Sequence, residues 1–249
     1  MKKLCHLSNN ILIVSILLIV FFPTGAFSHC GNNFHAHVHT VKEIDALIGS
    51  CVDISCRFEN FEGFDSRRIT FGIWMKNKAE VSDTVYNSSG KINTYQMETT
   101  GNLRRQNCSI RIPNLTAAHA DKYFFRLENE PVKVTFCDDP FKLTVRDSAW
   151  SPIINVSGSE LKEHQSVTVT CSAHTPCSLS PPILSWNIEG DSVRKIEKIT
   201  DGAFTTKFQE TITLYDTHNG YSIKCSAKYP VTGGFKQAVA EKTLNVSCK

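Results

Sequence analysis

The chain has 249 residues, ten cysteines and a formal charge of +3, long enough for two domains of roughly 100 residues that each bury a core. Taking away Lys2 and Lys3, which belong to a leader, leaves +1. A balance so close to neutral excludes the concentrated basic face that nucleic-acid or membrane-surface binding requires.

The leader is the first element in chain order. Lys2 and Lys3 precede an apolar run from Ile11 to Phe22, followed by Pro23, Gly25 and the small-residue pattern Ala26-Phe27-Ser28. The run is too short to span a bilayer and ends in a cleavage pattern, so residues 1–28 read as a secretory signal peptide and the mature chain is expected to begin near His29. No later stretch approaches the roughly 20 apolar residues of a membrane helix. The expected location is therefore secreted, or the extracellular face of a plasma membrane if an anchor exists elsewhere. Sequons at Asn87, Asn114, Asn155 and Asn245 agree with that route. A fifth, Asn107, is set apart because its middle residue is Cys108.

After the leader, short runs rich in β-branched and aromatic residues follow one another: CVDISCRF, ITFGIWMK, CSIRI, YFFRLE and FKLTV, then SVTVTCSA, ILSWNI, ETITLY and YSIKCSA. Gly, Asn, Asp and Pro separate them at spacings that suit a β-sandwich, and no amphipathic helix competes. The pattern runs twice, each time with a cysteine strand before a tryptophan strand: Cys56 then Trp74, Cys171 then Trp186. A buried Trp packed on a disulfide between two sheets marks the immunoglobulin sandwich. The expected fold is all-β, two tandem immunoglobulin-like sandwiches, V-set then C2-set. Residues 29–146 form the first and 147–249 the second, with the boundary near Arg146 to Pro152.

The second domain has the usual pair, Cys171 and Cys225. The first does not: where a second cysteine would follow the corner tyrosine stand Tyr123, Phe124 and Phe125, and the cysteine comes earlier, at Cys108. A Cys56–Cys108 bridge would link two strands of one sheet instead of crossing the core. Cys51 and Cys177 fall at the ends of the two domains that face each other, and a bridge between them would lock the domains at a fixed angle. Local pairings are the rival, because sequence does not fix connectivity.

The set GSCVDISCRF, FGIWMKN, NCSIRI, YFFRLE and CSAHTPCSLSPPILSW resembles the first two domains of the siglecs, the sialic-acid-binding immunoglobulin-type lectins, over nearly all of residues 34–247. The resemblance implies that Arg126 forms a bidentate salt bridge with the carboxylate of a terminal sialic acid on a glycoprotein or glycolipid. Arginine suits that role, since its planar fork matches a carboxylate and lysine offers only a point charge. The bland alternative is an arginine solvating a strand face through Glu128 or Asp83. The resemblance also implies that backbone groups near Lys133, Val134 and Thr135 hold the N-acetyl and glycerol arms. Two departures weaken the apolar platforms: many siglecs carry an aromatic where Val134 stands, and a tryptophan on the first strand where this chain has Phe34 among histidines. Phe34 or Phe136 is the candidate to compensate.

His35, His37 and His39 alternate on one strand face, as a zinc or copper site would begin. No carboxylate or cysteine nearby completes a ligand set apart from Cys30, and an exposed edge strand is the preferred reading, with no metal and no cofactor. A Cys30–Cys137 bridge would pin the N-terminal segment beside the last strand. Removing Cys5 leaves nine cysteines, so one is odd, and Cys248 is the expected free thiol or intermolecular partner. Enzymatic motifs are missing: there is no G-x-S-x-G, phosphate loop or H-E-x-x-H, and the Asp138-Asp139 pair is expected in a turn ahead of Pro140. The chain reads as a non-enzymatic lectin for cell adhesion or immune-cell regulation, with a protein-binding immunoglobulin adhesion module as the alternative.

Overall fold

The computed structural model describes residues 36–59, 62–198 and 204–248. The leader, Cys30, Phe34 and His35 lie outside the described residues.

The first sandwich is built from β1 His37–Thr40, β2 Glu43–Leu47, β3 Val52–Ile54, β4 Cys56–Glu59, β5 Phe71–Lys76, β6 Thr84–Asn87, β7 Glu98–Thr99, β8 Ile110–Ile112, β9 Asp121–Asn129 and β10 Val132–Arg146. Its front sheet runs β2-β10-β9-β5-β6, and the opposing strands are the pair β1-β4 and the trio β3-β8-β7. The second comprises β11 Ile153–Val156, β12 Leu161–Lys162, β13 Ser166–Thr175, β14 Ile183–Trp186, β15 Asp191–Lys198, β16 Phe204–Thr213, β17 Ser222–Val231, β18 Gly234–Thr243 and β19 Val246–Ser247. There β11-β13-β16-β15 faces β14-β17-β18, and β12 pairs with β19. The chain is thus two tandem immunoglobulin-like β-sandwiches.

In the first domain Cys56 is bonded to Cys108 with their Cα atoms 4.8 Å apart. Cys108 lies just before β8 and beside Cys56 of β4, its N–H donating to the Cys56 carbonyl at 3.0 Å. No disulfide joins the sheets through the core among the described residues, and aromatic rings fill that space. Phe125 lies 5.0 Å from Trp74, 6.1 Å from Phe58 and 5.8 Å from Phe136, ring centre to ring centre. Phe141 stacks on Tyr123 at 5.0 Å. Gly72 leaves room for this packing, since a Cβ there would come within 3.2 Å of both Phe125 and Leu103. The Tyr123 hydroxyl donates to the His119 carbonyl at 2.7 Å, the tyrosine corner of this fold.

The second domain carries its disulfide across the core, Cys171 to Cys225, with Cα atoms 6.3 Å apart. Trp186 stands opposite Cys225 in the strand register but is only half-buried, packed at the seam between two buried clusters.

Between the domains Cys51 is bonded to Cys177, Cα atoms 5.4 Å apart. The bridge is one part of a larger joint. The Asp53 carboxylate accepts from the Ser178 N–H and hydroxyl, both at 2.7 Å, and from Arg111 Nε at 2.6 Å. The Asp53 N–H donates to the Pro176 carbonyl at 2.8 Å, and the Gly49 carbonyl accepts from the Thr232 N–H at 2.7 Å. Leu47, a first-domain residue, is fully buried in the apolar cluster of the second. The expected boundary segment is itself packed: Trp150 lies 4.8 Å from His174 and 5.4 Å from Tyr229, and its indole N–H donates to Asp45 at 3.2 Å.

Asp138 and Asp139 do not sit in a turn. They fall inside β10, where the register with β9 shifts between Phe136 and Phe141. A bulge accommodates Pro140 because the proline is not required to donate there. The other end of the β9–β10 hairpin is held by Asn129, fully buried, whose side chain accepts from the Asp65 N–H at 2.9 Å and donates to the Asp65 carbonyl at 3.1 Å and the Thr70 hydroxyl at 3.0 Å.

Two outcomes follow for the fold. Replacing Cys51 and Cys177 by Ser should leave the small-angle scattering profile close to the parent's, and adding Asp53→Ala should then broaden the distribution of shapes; broadening with the cysteine pair alone would show that the polar joint holds nothing. Asn129→Ala should lower stability in chemical denaturation by about 1–3 kcal/mol, the usual cost of orphaning buried hydrogen-bonding groups.

Candidate functional site

Tyr123, Phe125 and Leu127 point into the core, so strand alternation puts Phe124, Arg126 and Glu128 on the opposite, front face of β9. Across the sheet Arg126 stands opposite Thr135 of β10 and Ile73 of β5.

An arginine on an outer strand face is expected to reach solvent, yet the Arg126 side chain is only 11% exposed. Its Nε donates to Glu128 Oε1 at 3.0 Å and its Nη1 to the Thr135 hydroxyl at 2.9 Å. The carboxylate partner is Glu128; Asp83 instead accepts from the Ser82 hydroxyl at 3.5 Å. The guanidinium is therefore oriented by two side chains on its own sheet, and one edge of its fork already faces a carboxylate. An incoming carboxylate must take the place of Glu128 at Nε or approach along the Nη edge.

The neighbouring positions divide by alternation. Lys133 is exposed, and its Nζ lies 2.7 Å from Glu130 Oε1, an ion pair that raises its pKa. Thr135 is buried on the Arg126 face. Val134 turns inward and is 2% exposed within the aromatic core, so an aromatic at that position in this structure would enter the core and not the face of Arg126. Phe136 is likewise a core ring stacked on Phe125 and offers no outer platform. Phe34 lies outside the described residues. Apolar side chains that share the face of Arg126 include buried Ile73 and half-buried Phe124, with Phe71 and Met75 on the same side of β5. None of these stands out for the site in the sequence; alternation from Tyr123 is the signal that places Phe124 on the outer face.

The remaining candidates are dispersed. His37 and His39 lie on the exposed side of β1, and His39 Nε2 is 2.7 Å from Glu59 Oε1, a carboxylate from the paired strand that the sequence did not bring near. Among the described residues no group of three His, Cys, Asp or Glu side chains is placed to hold a metal ion. Cys137 is disulfide-bonded, and its proposed partner Cys30 lies outside the described residues. Cys248 is a free, exposed thiol. Asn114, Asn155 and Asn245 are exposed, and Asn87 is half-buried on β6. No described helix is long and apolar enough to cross a membrane.

Comparison with known proteins gives a consistent picture. No family model matches the chain. A chimpanzee protein named sialic acid-binding Ig-like lectin 13 is 28% identical over 148 residues, covering 59% of this chain and 36% of its own length. The human sialic acid-binding Ig-like lectin 6 is 28% identical over 207 residues, 80% of this chain and 42% of its own length. A mouse protein named sialic acid-binding Ig-like lectin 12 is 27% identical over 200 residues, 74% of this chain and 40% of its own length. The chain thus spans about two fifths of the length of these relatives. Among solved structures, the ectodomain of mouse nectin-like molecule 4 is 15% identical with a TM-score of 0.34, covering 84% of this chain and 67% of its own; no inference rests on a likeness that low. These relatives, 27–28% identical, support a siglec-like immunoglobulin-domain protein: the chain is similar to the sialic acid-binding Ig-like lectins over two immunoglobulin-like sandwiches.

Proposed function

We propose that the first domain, residues 29–146, binds terminal sialic acid on glycoproteins or glycolipids, with Arg126 as the group that holds the sugar carboxylate. The second domain, residues 147–249, carries and orients it. The observation behind this reading is the placement of Arg126: a guanidinium fixed by Thr135 on the front sheet, beside the apolar Ile73 and Phe124, in a chain whose relatives are named for sialic-acid binding. In this reading the backbone of Lys133, Val134 and Thr135 holds the N-acetyl and glycerol arms, and Phe34 supplies an apolar contact. The leader and the sequons support a place outside the cell, secreted or at the plasma-membrane surface, and in this reading the protein acts in adhesion or immune-cell regulation. The chemistry is recognition and not catalysis. Cys248 is available for a covalent link to a partner chain.

Glu128 sets the affinity in this scheme. It lies 3.0 Å from the nitrogen that a ligand carboxylate would use, so it competes for that edge and repels the incoming charge.

Arg126→Ala should remove most binding to a sialoside array, a loss on the order of 2–5 kcal/mol for truncating one partner of a charge-assisted pair. Arg126→Lys should bind far more weakly than the parent because the fork is lost. Equal binding of the Ala variant to sialylated and sialidase-treated cells would overturn the lectin reading and favour a protein ligand on the front sheet. Glu128→Gln keeps the shape and removes the charge; titration with a sialoside should show affinity raised severalfold, and a weaker complex would mean that Glu128 positions Arg126 more than it competes.

A further inference from the structure

The joint between the domains forms a cleft of about 330 Å³, open to solvent on one side and walled by residues of both sandwiches. Its aromatic surfaces are Trp150 from the connecting segment and Phe204 at the start of β16, and Ile44 adds an apolar side. The charged groups in the lining are all carboxylates: Glu43, Asp45 and Asp53. Two of them are already neutralised. Asp45 pairs with Arg146 at 3.1 Å, and Asp53 with Arg111 at 2.6 Å. Glu43, exposed at the edge strand β2, has no ion-pair partner among the described residues. His174 also borders the space, and burial lowers its pKa, which disfavours its charged form.

We infer that this inter-domain cavity is a binding site for a small organic cation with an aromatic body, an arylalkylammonium, whose ring packs between Trp150 and Phe204 and whose ammonium faces Glu43. Three features support this. The volume is at the lower end of the range of small-molecule pockets, which favour domain interfaces. Aromatic walls with a free carboxylate at the rim attract a cation through both charge and ring quadrupole. The Cys51–Cys177 bridge and the Asp53 hydrogen bonds fix the two halves relative to each other, so the walls need little ordering when a ligand enters. The site is separate from Arg126 and independent of sialic-acid binding.

The test uses the full mature chain with benzylamine, benzyl alcohol and benzoate as probes, followed through the Trp150 indole N–H resonance and by calorimetry. Benzylamine, charged at neutral pH, should bind saturably, benzyl alcohol at least about fivefold more weakly, and benzoate not at all in the same range. Glu43→Gln should erase the advantage of the amine over the alcohol. Ser55→Phe, which places a ring in the cavity, should abolish binding of the amine, and Val41→Phe serves as a second block if the first variant does not fold. No saturable binding of benzylamine, equal binding of all three probes, an amine advantage that survives Glu43→Gln, or full binding by a folded blocked variant would each overturn the assignment. Sialoside binding measured alongside reports on Arg126 alone and distinguishes the two failures.

Discussion

The first domain depends on where its disulfide lies. Cys56 and Cys108 are joined within the back layer, between β4 and the residues leading into β8, which leaves the centre between the layers to Phe125, Trp74, Phe58 and Phe141. Rings of that size bury far more apolar surface than a cystine and hold the sheets by packing, not by a covalent tether. The consequence reaches β9: with Tyr123, Phe125 and Leu127 committed to the core, the strand's outer face belongs to Phe124, Arg126 and Glu128. The candidate site is the other side of the core strand, so the rings that stabilise the domain also fix the backbone that aims the guanidinium.

Among the described residues no cystine crosses the first core, while one stands at the joint. Cys51 follows directly on the turn at Gly49, and Gly49 itself receives a hydrogen bond from Thr232 of the second domain. Leu47 enters the second domain's apolar cluster from the same stretch. Residues 47–53 therefore contribute an apolar anchor, a backbone contact, a cystine and a carboxylate to one interface. Inter-domain contacts within a chain are commonly loose; this one has a covalent bond and a partly buried charged network, which holds a single angle between the front sheet and the second domain.

The central strands were legible in the sequence because each buries one or both faces and so shows alternation or a dense apolar run: FGIWMK, YFFRLE and SVTVTCSA fall within single strands, and CVDISCRF covers β3 and most of β4 with a break at Ser55. The edge strands were not. β15 is exposed along almost its whole length and β18 alternates only between exposed and half-buried, so neither presents the contrast that a period-two pattern needs. The aspartates of β10 were misread as a turn because a bulge and a turn attract the same residues. In the site, Arg126 was visible as a charge among aromatics, but its burial was not. Side-chain cover depends on which strands come alongside, and Thr135 and Ile73 are separated from it by 9 and 53 positions in a chain whose pairing only the fold defines.

The Arg126–Glu128 contact bears on how such a site discriminates among ligands. With side chains 11% and 26% exposed, the pair has already lost much of its hydration, so a ligand carboxylate that replaces Glu128 gains little new Coulomb energy: one oxygen anion is exchanged for another. Net affinity then comes from what Glu128 lacks, namely apolar contact with Ile73 and Phe124 and hydrogen bonds along β10. A simple carboxylate offers neither. A ligand with its acid on a larger frame would offer both, so under the proposed lectin reading Glu128 would be the standard that a ligand must exceed, while it and Thr135 keep the guanidinium ordered.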